Sequence, residues 1–462
     1  MNVNGKVYPM FTFSHRETRT DSNDGKQPEK SSLTDEVCTF AGETTLHGIR
    51  YVGNRSICAA RRYIWCILVF IALAFLVIIL KESVVNYRSY PVATKISIAH
   101  YDEIAFPAVT FCNYNQLRQS QVSDEELKYI RAFFSGNYAN FSNINNWNLT
   151  ELYLRASHSI NDLLTKCTWM SLEDCGPENF TTDIMDFGVC YTFKTTRNVS
   201  VAGVSSSLFL QININDTDHT GHEQGIKGIK MMIHPADELP LVKSFGFSVS
   251  PGFHTEIALK GVQTKSLPHP YSSKCTGKEL QYTGTYTKAL CIEECRFDYV
   301  VAKCGCKLTN MIGDVPECTV LQTINCGDAA YNRFVSDRNV SCDCPVACDQ
   351  LTYEPRTSST LWPDPATIQL FENNDGYTKD YVRENILQVS ISFEDLDMTV
   401  VELVPSYSVT QLLSELGGNM GLICGMSLIT IVELLDFVIV AILQRLMKKK
   451  EFRPTKTHTI SK

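Results

Sequence analysis

Two stretches of the chain show no polar periodicity. The first, Tyr63 to Leu80, reads YIWCILVFIALAFLVIIL, 18 residues without a charge. At about 1.5 Å per residue it spans most of a hydrocarbon core of about 30 Å. It starts too far from Met1 for a signal peptide, and no small-residue cleavage site follows it. A buried soluble helix does not need apolar residues on every face. Residues 63–81 are therefore predicted to cross a membrane as an uncleaved anchor. The second stretch, 417–446, is about 45 Å long if helical throughout, so it has to tilt or break. It carries Glu433 and Asp436, three apart and so on one helix face. Carboxylates at that depth need water or a partner. A water-filled path supplies it; the alternative is a position at the membrane edge, where both solvate.

Charge sets the orientation. Arg55, Arg61 and Arg62 precede the first stretch, and Arg445, Lys448, Lys449, Lys450 and Arg453 end or follow the second. By the positive-inside rule both termini are cytosolic and residues 82–416 lie outside. Residues 1–42 are polar and rich in Ser, Thr, Asp and Lys, and are predicted to be disordered. Residues 43–62 lead into the first helix, and 447–462 form a basic tail. Six N-x-Ser/Thr sequons, at Asn140, Asn148, Asn179, Asn198, Asn215 and Asn339, fall in the outer block. They are candidate glycosylation sites and agree with a glycosylating lumen. Asn54 also fits the pattern but lies on the cytosolic side of this topology.

Between the apolar stretches the pattern is mixed. Ser205–Asn215, Ile226–His234 and Ile386–Phe393 alternate over much of their length and read as strands. Glu125–Phe134 and Lys288–Ala302 read as helices, and Asn373–Tyr381 carries turn residues before another helical stretch. The outer block is thus predicted to be α+β. It also holds 14 of the 18 cysteines; Cys38, Cys58, Cys66 and Cys424 lie outside it. That split suits a chain divided between an oxidising and a reducing compartment. Cys291 and Cys295 share a face of a helix, and Cys342 and Cys344 share a face of a strand. A helix against that strand would form two rungs of a disulfide ladder, with Cys304, Cys306, Cys318 and Cys326 near the helix end. Zinc is the rival reading of these spacings.

Composition excludes little else. Apolar residues make up 44% and charged residues 20%, an ordinary mixture that argues against wholesale disorder. The net charge of −8 gives no electrostatic reason to expect a nucleic-acid partner. Nucleophile-elbow, Walker A and H-E-x-x-H motifs are absent from the sequence, so no enzyme chemistry is expected.

The sequence resembles the degenerin/epithelial sodium channel superfamily, nearest its acid-sensing branch. The residues that carry the likeness are His47-Gly48, the run from Phe106 to Asn113 (FPAVTFCN), the run from Ser248 to His254 (SVSPGFH), the spaced cysteines, and Gly425, Met426 and Ser427. Taken together, these expectations describe a membrane protein with two transmembrane helices and a large disulfide-rich α+β extracellular domain. The resemblance adds assembly into homotrimers, or heterotrimers with related subunits, in the plasma membrane lipid. It implies an amiloride-sensitive channel passing Na+, without a cofactor or a bound metal. It also implies the disulfides Cys112–Cys190, Cys167–Cys175, Cys275–Cys348, Cys291–Cys344, Cys295–Cys342, Cys304–Cys326 and Cys306–Cys318. Gly425, Met426 and Ser427 would break the second helix and form the filter, with Glu433 and Asp436 as carboxylate rings. His47 and Gly48 would support the pore from below. Tyr90, Tyr271, Leu396, Asp397, Glu402, Ser414 and Asp328 fall at gating positions.

The likeness departs from the family where gating is concerned. Pro91 and Val92 occupy the place of a histidine pair, an important lysine is replaced near Ala202, and Asn332 stands for an aspartate. Leu396 and Asp397 stand where a Leu-Asn switch sits. His100, His219, His222 and His269 remain as candidate titrating groups. Proton gating, peptide or other ligand gating, constitutive opening and block by protons therefore stay open. So does a non-conducting two-helix receptor, which would leave Glu433 and Asp436 unexplained.

Overall fold

The computed structural model describes residues 33–135, 147–170, 173–220, 225–337 and 341–451. Two compact units result: one spans Tyr90–Tyr407, and the other joins the stretches before Tyr90 and after Tyr407.

The helical unit begins with α1 (Leu33–Glu43), α2 (Ile49–Gly53) and α3 (Ala59–Arg88). The last ten of the 42 residues expected to be disordered are therefore helical. Their polar composition conceals a short apolar face: Ala41 is buried, and the Phe40 ring stacks on Phe437 at 4.3 Å. The first apolar stretch is longer than 63–81, because Lys81 to Arg88 contain no helix breaker. The helix ends only as the chain approaches Pro91, whose ring disfavours helix in the residue before it. α3 is the one described helix long and apolar enough by itself to cross a membrane.

The sheet unit opens with β1 (Val92–His100), β2 (Ile104–Ala105) and β3 (Ala108–Asn113). Helices α4 (Asp124–Ser135), α5 (Leu149–Ala156) and α6 (Ile160–Leu163) lead to β4 (Leu164–Trp169) and β5 (Glu173–Asp174). Strands β6 (Phe180–Met185), β7 (Gly188–Phe193), β8 (Asn198–Val199), β9 (Leu208–Asn213) and β10 (Ile229–His234) follow. Then come α7 (Val242–Phe245), β11 (Phe247–Val249), β12 (Phe253–Lys265), α8 (Lys288–Cys304), α9 (Val320–Gln322) and α10 (Asp328–Arg333). The unit closes with β13 (Asp349–Leu361), α11 (Pro365–Asn374), α12 (Lys379–Asn385) and β14 (Ile386–Pro405). The chain then returns to the helical unit as α13 (Val409–Cys424) and α14 (Leu428–Glu451).

Two sheets share one core. The larger runs β13-β12-β14-β9-β4-β5, with β1 also on β14; the smaller runs β11-β10-β3-β7-β6. Every residue of β3 is buried; its polar Thr110 and Asn113 are hydrogen-bonded there, to Thr192 and His234 and to the Ile214 carbonyl, and Phe111 sits in a cluster with Leu210, Ile257, Val389 and Phe393. β14 runs to Pro405, well past the expected strand end at Phe393, because its second half pairs antiparallel with β1 from His100↔Asp397 to Val92↔Pro405.

All seven disulfides named above are present, including Cys112–Cys190 across β3 and β7. The expected strand under the cysteine ladder is absent. Cys291 and Cys295 lie on α8, but Cys342 and Cys344 sit in chain without secondary structure. Pro345 removes a ladder donor there, and the two bridges hold the segment instead. α8 starts on Thr287, whose hydroxyl accepts from Leu290 N–H, and ends on Gly305 at φ 72°. Its Glu294 accepts the N–H groups of Gln281, Tyr282 and Thr283 at 2.8 to 3.1 Å. Replacing that buried acceptor leaves three donors without their carboxylate, at about 1–3 kcal/mol each. Glu294→Ala is expected to expose the 280–284 segment, seen in limited proteolysis as faster cutting near Tyr282.

Candidate functional site

The second apolar stretch is two helices rather than one. α13 begins at Val409, ahead of the expected 417, and α13 and α14 meet at a bend of 73° over residues 425–427. The local sequence dictates this break. Gly425 takes φ 67°, a left-handed conformation that ends α13 in the manner of a C-terminal glycine cap. Ser427 then caps α14: its Oγ accepts Thr430 N–H at 3.2 Å, and Thr430 Oγ1 accepts Ser427 N–H at 3.2 Å. This is a reciprocal capping box, with Thr in place of the usual acid or amide. Gly and Ser at this spacing are thus a stop signal and a start signal separated by Met426.

The residues before α2 pack into the break. His47 N–H donates to the Cys424 carbonyl at 2.9 Å, and Thr45 Oγ1 lies 2.9 Å from Thr430 Oγ1. Leu46 joins Leu76 and Cys424 in a small apolar cluster. A Cβ at Gly425 would lie 2.7 Å from the His47 ring, and one at Gly48 would lie 2.9 Å from Val69. Gly48, at φ 81°, turns the chain into α2, where Tyr51 stacks on Trp65 at 4.6 Å. The structure therefore brings His47, Gly48, Gly425, Met426 and Ser427 together. Glu433 and Asp436 lie exposed on α14, and Ser414 is exposed on α13. Beside Ser414, Glu415 accepts a hydrogen bond from the buried Ser83 of α3 at 3.2 Å. Glu415, Thr45 and Thr430 were not legible as site residues; only the offset of three between Ser427 and Thr430 hints at a cap.

In the sheet unit the gating candidates are spread out. Tyr90, at φ 48°, meets Tyr271 edge to face at 5.5 Å. Leu396 packs on the main core, Asp397 lies 2.5 Å from His100, and Glu402 lies 3.8 Å from Lys95. Val92 starts β1 behind Pro91, and Ala202 lies in the turn whose Gly203 N–H donates to Phe393 O. His219 and His269 are exposed, and His222 lies outside the described residues. Asn148, Asn179 and Asn198 are exposed, Asn215 is half-buried, and Asn140 and Asn339 lie outside the described residues.

A cavity of about 360 Å³ opens between β6, the 236–241 loop and α8. Its lining includes Asp183, Asp186, Asp237, Glu238, Tyr282 and Glu293. Asp328, at the start of α10, is not one of them. Burial pushes the Asp186 carboxyl up to about 6 against the pull of Lys243 N–H. Burial, with Asp237 adding to it, raises Glu238 to about 7. Burial also raises Asp328 to about 6, and its Oδ2 has no hydrogen-bond partner among the described residues. Asn332 is exposed on α10. The Asp237-Glu238 pair was missed in the sequence, because adjacent acids in a loop look like an ordinary solvated turn.

Three outcomes follow for the purified full chain in detergent, read by thermal unfolding. Ser427→Ala costs about 1 kcal/mol of helix cap, while Ser427→Thr keeps a capping hydroxyl and costs less. Gly425→Ala costs about 1–2 kcal/mol in backbone strain, before the His47 contact is counted. Asp186, Glu238 and Asp328 bind protons more tightly folded than unfolded. Their contribution is therefore full in acid and fades as pH rises through about 6 to 7. The buried His158 and His234, held down to about 4, act with the opposite sign as pH falls below the imidazole range, so the test is a difference: relative to wild type, Glu238→Gln should lose the stabilisation gained on acidification through about 7.

The sequence matches the family described as amiloride-sensitive sodium channel over residues 40–437. Acid-sensing ion channel 1 of Gallus gallus is 31% identical over 457 residues, covering 90% of this chain and 86% of its own length. Acid-sensing ion channel 1C of Danio rerio is 29% identical, with coverage of 90% and 85%. Acid-sensing ion channel 2 of Rattus norvegicus is 28% identical, with coverage of 91% and 90%. With a family match over most of its length and relatives that align nearly end to end, the chain belongs to the amiloride-sensitive sodium channel family.

Proposed function

We propose that the chain is one subunit of a trimeric, sodium-selective, amiloride-sensitive channel of the plasma membrane. In this reading α3 and the bent α13 and α14 pair cross the bilayer, both termini are cytosolic, and the sheet unit is extracellular. The observation that carries it is the break at Gly425, Met426 and Ser427, held by the His47 backbone. Irregular backbone at membrane depth is tolerated where it is buried in protein or lines water. Three copies of the break around an axis would present rings of carbonyls and Ser427 hydroxyls that replace part of the hydration shell of Na+. Small residues at 417, 418, 421 and 425 permit close approach of the three helices. Glu433 and Asp436 then add carboxylate rings that concentrate cations, and the pore needs no cofactor.

Acid is the stimulus this structure favours among those open to the family. Asp186, Glu238 and Asp328 are half-buried carboxyls raised into the range of about 6 to 7, so mild acid changes their charge. A pore carries only what its filter admits, so the test is electrical. The chain alone, in oocytes, should pass an inward current that requires external Na+, is blocked by amiloride and changes when pH is stepped down. Gly425→Val should abolish the current or alter its Na/K ratio at unchanged surface level. A surface-delivered chain that passes no Na+ current, alone or with related subunits, sinks the reading. Currents indifferent to pH sink the acid stimulus alone.

A further inference from the structure

The break between α13 and α14 holds a chain of three hydroxyls. Thr430 Oγ1 is its centre. It lies 3.1 Å from Ser427 Oγ and 2.9 Å from Thr45 Oγ1, and it accepts Ser427 N–H at 3.2 Å. Ser427 Oγ in turn accepts Thr430 N–H at 3.2 Å. Thr430 is only 2% exposed, whereas Ser427 and Thr45 are exposed.

A hydroxyl has one proton and two lone pairs, so with every contact bonded the chain runs in one of two directions. In the first, Ser427 O–H donates to Thr430 and Thr430 O–H donates to Thr45. Ser427 Oγ then has one lone pair left over. In the second, Thr45 donates to Thr430 and Thr430 donates to Ser427. Both lone pairs of Ser427 Oγ are then taken, by the N–H and the O–H of Thr430, and its own proton points outward. A cation is ligated by the first arrangement and repelled by the second.

We propose that Thr430 is a positioning residue: by giving its proton to Thr45, it leaves Ser427 with a lone pair for the permeant ion. This role rests on the channel reading above and deepens it, by naming the atom of Ser427 that meets Na+. The first direction uses the shorter of the two contacts for the buried proton. Thr45, being exposed, can hand its own proton to water, which buried Thr430 does not reach. A cation beside Ser427 selects the same direction. The backbone leaves this work to the hydroxyl, because the Ser427 carbonyl is engaged by Ile431 N–H at 3.2 Å and the Cys424 carbonyl by His47 N–H at 2.9 Å.

Reversal potentials of the full chain in oocytes, at matched surface level, test this. Thr45→Val keeps the side-chain shape and removes the acceptor. Thr430 then has only Ser427 for its proton, and the Na/K permeability ratio should fall about two- to tenfold, the worth of one hydrogen bond. Thr45→Ser and Thr430→Ser, which keep the hydroxyls, should retain the wild-type ratio. In a Ser427→Ala background there is no hydroxyl to turn, so Thr45→Val should change the ratio no further. A role confined to holding the segment in place would make the two shifts add. Additive shifts, or a wild-type ratio in Thr45→Val, overturn the proposal; Thr45→Ala serves in its place where Thr45→Val does not reach the surface. A wild type that carries no Na+ current overturns the channel reading and the ion-facing role of Ser427 with it. A conducting wild type whose ratio Thr45→Val leaves unmoved overturns the hydroxyl chain alone.

Discussion

The structure turns on how a broken helix satisfies its backbone. Where α13 stops, its last carbonyls lose their helical partners; where α14 starts, its first N–H groups lose theirs. Gly425 folds two N–H groups back onto α13, and Ser427 and Thr430 cap each other at the start of α14. The Cys424 carbonyl is met from a distant part of the chain, by His47 N–H. In the proposed membrane setting, water cannot stand in for these partners at the same cost. The His-Gly and Gly-x-Ser motifs are therefore two halves of one device. Gly48 is glycine because the turn that delivers His47 to the break has a positive φ and runs against Trp65 and Val69.

β14 plays the corresponding part in the sheet unit. Its first half alternates and buries Leu387, Val389, Ile391 and Phe393 in the shared core. Its second half is half-exposed along its length and depends on β1 and β12 for partners. Core packing and edge pairing thus meet at Glu394 to Asp397. The disulfides do not hold this junction. Four of the seven staple α8 and the irregular chain beyond it, where Pro345 and short helices leave little regular hydrogen bonding.

Features with a strong local cause were readable in the sequence. Eighteen uncharged residues can hardly be anything but α3, Cys291 and Cys295 had to share a helix face, and Gly425 and Ser427 were singled out as a break. Features set by distant partners were not readable. The helix at Leu33–Glu43 exists because Phe40 finds Phe437, and the length of β14 because β1 lies beside it. Thr45 on Thr430 and Glu415 on Ser83 join residues more than 300 positions apart, which no local pattern encodes. Asp237 and Glu238 became interesting only once the fold buried one of them.

Pro91 and Val92 stand at the start of β1 where the family carries a histidine pair, and the strand ends at His100. His100 faces Asp397, and elsewhere in the sheet unit Asp186, Glu238 and Asp328 are held as reluctant anions. Burial sets opposite signs for acids and imidazoles. Protonation relieves the carboxyls of a charge that burial disfavours, whereas the buried imidazoles of His158 and His234, held down to about 4, resist taking one. The carboxyls therefore favour the folded arrangement as pH falls, and the two histidines oppose it. The net pH dependence of this unit is thus a difference between buried acids and buried imidazoles, and it is independent of the positions taken by Pro91 and Val92.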